Sequence, residues 1–101
     1  MDERRSTPRR RVLKEGKIVF ADGVRVLDCT IRDMSDTGAR LLIANPLGVP
    51  QHFLLLEKSS GLMHPVSVIW HRKDCIGVKF DGPATSIHDE ANKRFSRLRC
   101  L

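Results

Sequence analysis

Two groups of residues in this chain have the types and spacing to hold an anionic ligand that carries purine bases. The first is Arg5-Ser6-Thr7-Pro8-Arg9. Pro8 keeps Thr7 out of the helical region, so the segment is expected to be extended. Each guanidinium can fork onto a phosphate or onto the O6/N7 edge of a guanine, because its donors are planar and fixed. Arg10 and Arg11 follow directly and can add phosphate contacts or only solubility. The plainer alternative for the whole run is a solvated basic tail. The second group is Asp33-Met34-Ser35-Asp36-Thr37-Gly38. A carboxylate at Asp33 can accept from guanine N1–H and N2–H, and Ser35 can donate or accept. Gly38 permits a backbone conformation or a close approach that a side chain would block. The plainer alternative here is an Asx or Ser turn with Gly in the left-handed position.

The elements that must position these groups read as short strands. Residues 1–11 contain no Leu, Val, Ile or Phe and read as a flexible arm. From residue 12 onward the pattern is β. Residues 17–20 are β-branched and aromatic. Asp22-Gly23 signals a two-residue hairpin turn. Residues 24–31 alternate, with Leu27, Cys29 and Ile31 on one face. A turn cluster at 33–38 precedes a strand at 39–43, which Asn45-Pro46 and Gly48 end. Further strands are expected at 53–56, at 66–71 with Val66, Val68 and Trp70 on one face, and at 76–80 with Ile76, Val78 and Phe80 inward. After Asp81-Gly82-Pro83, the residues Ile87, Ala91, Phe95 and Leu98 recur at helical spacing. Ser86 and Asp89 suit a capping box, and the spacing predicts a C-terminal α-helix over about 85–99 that covers one side of the sheet. Six short strands with regular turns predict an all-β domain, a small antiparallel barrel or sandwich, over 12–101.

Composition narrows the function. The chain has 101 residues and a net charge of +6. Residues 1–17 hold seven Arg and Lys against three acids, and 84–101 hold four against two. The residues between them are balanced at seven of each sign. A neutral body with basic ends points to an anionic partner met by the arm. No apolar run reaches the roughly 20 residues of a membrane span. The first residues lack the apolar core of a secretory signal, so a cytoplasmic location is expected. Cys29, Cys75 and Cys100 are far apart and odd in number, which fits reduced thiols and neither a disulfide framework nor a zinc site. His52, His64, His71 and His88 share no metal spacing, and no metal or cofactor is expected. A set of Ser35, His71 and an Asp lacks the G-x-S-x-G elbow of a hydrolase, so no catalytic residues and no enzyme activity are expected.

The two binding groups together resemble the PilZ domain family. The arm R-S-T-P-R and the loop D-M-S-D-T-G match its R-x-x-x-R and D-x-S-x-x-G motifs, separated by a strand hairpin. V-I-W-H-R-K-D-C-I-G-V-K-F also resembles the late hairpin of the family, and the likeness runs from about Glu3 to Phe80. The resemblance implies a six-stranded antiparallel β-barrel with a flexible N-terminal arm and a C-terminal α-helix. It implies binding of the bacterial second messenger cyclic di-GMP, with Arg5 and Arg9 clamping guanine edges and phosphates. Asp33, Ser35 and Gly38 would hold a guanine on the barrel. Arg4, just before the first motif, goes in relatives with an intercalated dimer of the ligand, and Arg10 is a further candidate contact. It also implies a receptor that relays ligand level to a separate downstream protein. Two rivals stand beside it. One is a PilZ-like protein acting by protein contact without ligand, which two intact motifs oppose. The other is a small basic nucleic-acid-binding barrel, which needs aromatic stacking platforms. The chain has no Tyr, one Trp and four Phe that mostly fit core positions. Trp70 beside His71, Arg72 and Lys73 can stack a base, but a core or rim position explains it as well.

Overall fold

In the computed structural model the described residues are 10–90, 92, 93, 95 and 98, with side chains described from Val12 onward. Strand β1 (Arg10–Val19) pairs with β2 (Val26–Met34). It therefore takes in the last two residues of the segment expected to be arm. Arg10 and Arg11 lie opposite Met34 and Asp33, where the ladder fixes their backbone. The connection is also wider than the two-residue turn expected from Asp22-Gly23. Phe20 and Arg25 still pair, with Phe20 N donating to Arg25 O at 3.0 Å. The Asp22 carboxylate accepts from the amides of Val24 and Arg25 at 2.8 and 3.0 Å. Those amides hold its pKa down at about 2, and Gly23 takes a positive φ of 72°.

β3 (Gly38–Leu42), β4 (His52–Glu57), β5 (Leu62–His71) and β6 (Cys75–Phe80) complete the barrel, all antiparallel. The order β4-β1-β2-β3-β6-β5 closes through a β4–β5 ladder, which leaves no open edge among the six. Asn45 caps a 3-10 turn at Pro46–Gly48, its side chain accepting from Leu47 N. No helix among the described residues is long and apolar enough to cross a membrane.

Alternation along the strands builds two cores. Ile18, Ile31, Leu41, Leu55, Ile76 and Val78 fill the barrel. Their outward neighbours Val19 and Leu56 are buried as well, in a second cluster with Met63, Ile87, Phe95 and Leu98. So the C-terminal segment covers the outer face of β1, β4 and β5, as its apolar spacing suggested. Each buried Leu, Ile or Phe is worth about 1.5–3 kcal/mol. The helix itself is not shown. Thr85 and Ser86 form a short strand β7 on β5, opposite Met63 and Leu62. The start of β5 runs past its ladder with β6, and backbone pairing there holds these two residues extended. The described residues beyond them lie in turns and 3-10 conformation, and 91, 94, 96, 97 and 99–101 fall outside the described residues.

One cluster around the buried Glu57 ties three strands together. The Glu57 carboxylate on β4 meets Lys14 Nζ of β1 at 2.7 Å and His64 Nε2 of β5 at 3.3 Å. Burial pushes the carboxyl up, but hydrogen bonds from Lys14 and His64 outweigh it and leave the pKa below its ordinary 4.5. A folded-state pKa below the unfolded one contributes stability above the unfolded pKa. That contribution is lost as pH falls through the folded value. Glu57→Gln is expected to cost about 1–3 kcal/mol at pH 7 and to flatten the loss of stability between pH 5 and pH 3. Urea unfolding of both proteins across that range checks it; equal acid slopes would remove Glu57 from the account.

Candidate functional site

Asp33 lies on strand β2, not in the loop where the sequence pattern put it. Simple alternation from Leu27, Cys29 and Ile31 would turn it into the core. A β-bulge prevents this. Ile31 pairs with Leu41 and Asp33 with Arg40, so two steps on β2 meet one step on β3. Arg32 is the extra residue, and the parity of the strand reverses there. Met34 then packs with Ala39 against the barrel core, and Asp33 faces outward beside Arg40. β1 bulges at the same level, between Arg11 and Lys14.

A second reversal occurs on β5. Val68 pairs with Val78 and Trp70 with Gly77, which leaves Ile69 as the extra residue. Trp70 therefore does not share a face with Val66 and Val68, contrary to the alternation. Its indole lies on Gly77, where an added Cβ would sit 2.3 Å from Cε2 and Nε1. Arg72 stacks over the indole at 5.2 Å. One register row thus crosses the outer surface from Arg11 through Asp33, Arg40 and Gly77 to Trp70.

The turn after Asp33 is narrower than the expected 33–38 cluster. Ser35 N donates to Gly38 O at 2.9 Å, and Ser35 Oγ accepts from the amides of Thr37 and Gly38 at 3.2 and 3.3 Å. Ser35 thus holds the turn while its half-buried hydroxyl remains at the surface. Gly38 has no positive φ. Its requirement is close approach, since a Cβ there would lie 2.2 Å from the carbonyl oxygen of Val78.

Asp33 is only 5% exposed, and Arg40 Nε lies 2.6 Å from its Oδ2. A groove of about 650 Å³ opens beside Ser35 and Asp36, with Lys14, Met34, His64 and Phe80 in its walls. The His64 ring stacks on Phe80 at 5.0 Å between centroids.

The structure thus brings Asp33, Ser35 and Gly38 to one end of the β2–β3 hairpin. Arg10 joins them through the pairing of its backbone with Met34. Arg4, Arg5 and Arg9 lie outside the described residues. Ser35 and His71 are not brought together, since β3 meets Lys79 at Gly38 and Cys75 at Leu42, and His71 pairs with Ile76. Among the described residues no three His, Cys, Asp or Glu side chains are grouped to hold a metal. Cys29 and Cys75 are free thiols, and burial pushes Cys29 up to about 12. Sequence reasoning missed Arg40, Lys14 and Glu57. It also passed over Gly77, although a glycine inside a strand signals a close approach.

No curated protein matches this sequence significantly. The family model of the PilZ domain matches residues 3–95, which span both motifs, all six barrel strands and the buried Ile87 and Phe95. With that match over most of its length and an antiparallel barrel that turns Asp33 outward, the chain belongs to the PilZ domain family.

Proposed function

We propose that this PilZ domain is a non-catalytic receptor for cyclic di-GMP that relays the messenger to a separate protein. PilZ is a family of binding domains, generally for this ligand and generally without enzyme activity. The observation that carries the reading is a register. Arg10, one residue after Arg9, pairs with Met34, one residue before Ser35. The two motifs are thus chain neighbours of one ladder position, although they are more than twenty residues apart in sequence. Five extended residues reach at most about 18 Å, so Arg5 has the range to close over Asp33 and Ser35.

In this reading Arg5 and Arg9 fork onto guanine edges and phosphates. Asp33 accepts from a guanine, Ser35 and the Gly38 turn hold its position, and Arg10 adds a phosphate contact. Arg4 favours an intercalated pair of ligand molecules. An arm that orders on binding changes the surface shown to a partner, which supplies the relay. Calorimetric titration with cyclic di-GMP tests this, with GTP and a short RNA as controls. Saturable heat with cyclic di-GMP alone is expected, at two ligands per chain if Arg4 acts as proposed. Equal binding of RNA with a steep salt dependence would favour a nucleic-acid role instead.

A further inference from the structure

Arg40 belongs to neither motif, yet its guanidinium sits on the Asp33 carboxylate. A guanidinium offers planar N–H donors to a carboxylate much as the N1–H and N2–H edge of guanine does. Asp33, at 5% exposure, has little surface left for a base while this contact stands. The contact is short but poorly aligned. The buried Nε–H of Arg40 has no acceptor at a hydrogen-bonding angle, although Oδ2 is 2.6 Å from Nε. The Arg40 side chain as a whole is 35% exposed. Across the other ladder Arg40 faces Gly77, over which the Trp70 indole lies. A shallow hollow of about 350 Å³ beside it is bounded by Leu13, Arg32 and Asp33.

We propose that Arg40 holds the place of a guanine on Asp33 in the free protein and turns onto a ligand phosphate when a guanine takes the carboxylate. This rests on the cyclic di-GMP reading above. Asp33 is buried, so leaving it unpaired would be costly, but the guanine N–H donors replace the guanidinium on the carboxylate as it leaves. A charge-assisted hydrogen bond to a phosphate returns more. Removing Arg40 therefore has two opposed effects: it frees Asp33, and it takes a cation from a dianionic ligand. The second is the larger, so Arg40→Ala is expected to bind cyclic di-GMP about tenfold more weakly. Arg40→Lys keeps the charge but loses the planar fork, and falls between the two.

The decisive readout is made on the wild-type protein, with the variants for assignment and comparison. The side-chain Nε–H resonance of Arg40 in the full chain, assigned by its loss in Arg40→Lys, is followed while cyclic di-GMP is added and the heat of binding is measured in parallel. A shift that saturates with the heat, together with the weaker Arg40→Ala, supports the exchange of partners. Saturating heat with an unmoved resonance and Arg40→Ala affinity equal to wild type would overturn it and leave the receptor reading intact. No heat from the wild-type protein would overturn the receptor reading and this inference with it.

Discussion

Gly38→Val is expected to cost about 3 kcal/mol or more, near the upper end for overpacking. The obstacle is main chain. A Cβ at Gly38 would lie 2.2 Å from the Val78 carbonyl oxygen and 3.2 Å from the Lys79 Cα, and Gly38 is paired with Lys79 in the β3–β6 ladder. Neither strand can yield without breaking hydrogen bonds, because β3 is held by β2 on its other side. A domain of this size has about 5–15 kcal/mol in total, so much of its stability is at stake. Thermal unfolding should show a drop of about 12 °C or more. Gly48→Ala is the control. Nothing lies within 4 Å of its added Cβ and its φ is not positive, so a change within about 0.5 kcal/mol is expected. A Gly38→Val protein as stable as Gly48→Ala would contradict the close approach.

Arg9→Ala and Asp33→Ala should both lose cyclic di-GMP binding, by about a hundredfold or more, as truncation of one partner of a hydrogen-bonded charge pair does. They should differ in stability. Arg9 belongs to the segment that its composition marks as an arm, so its removal is expected to leave the melting temperature unchanged. Asp33 is buried and paired with Arg40, and its loss should cost about 1–3 kcal/mol as well. The origin of that cost differs from the turn capping that its sequence position suggested. The turn is held by Ser35, not by Asp33. Calorimetry and thermal melts on the two variants separate the roles. Wild-type affinity in Arg9→Ala, or an equal fall in both melting temperatures, would sink the assignment.

Legibility differed from element to element, for physical reasons. Strands at 17–20, 53–56 and 76–80 were visible because β-branched and aromatic residues cluster there. The first half of β5 was hidden by Pro65, which reads as a strand breaker, yet pairs with Leu54. The first residues of β1 were hidden because Arg10 and Arg11 are cationic and carry no apolar signal. Helical spacing at Ile87, Phe95 and Leu98 correctly marked residues that face one core, but spacing alone did not establish a helix.

By itself the sequence determined the all-β class, roughly where the turns fall, most of the core and the two motifs, because each depends on residues near one another in the chain. Tertiary structure decided where the motif residues point. Alternation would turn Asp33 inward and Trp70 toward Val68, and in each case one bulged residue, Arg32 or Ile69, reverses the face. A bulge exists only relative to the partner strand that it outnumbers, so no local pattern announces it. The same holds for the Arg40 guanidinium on Asp33 and the Lys14–Glu57–His64 cluster, whose members meet only because the barrel closes and sets their register.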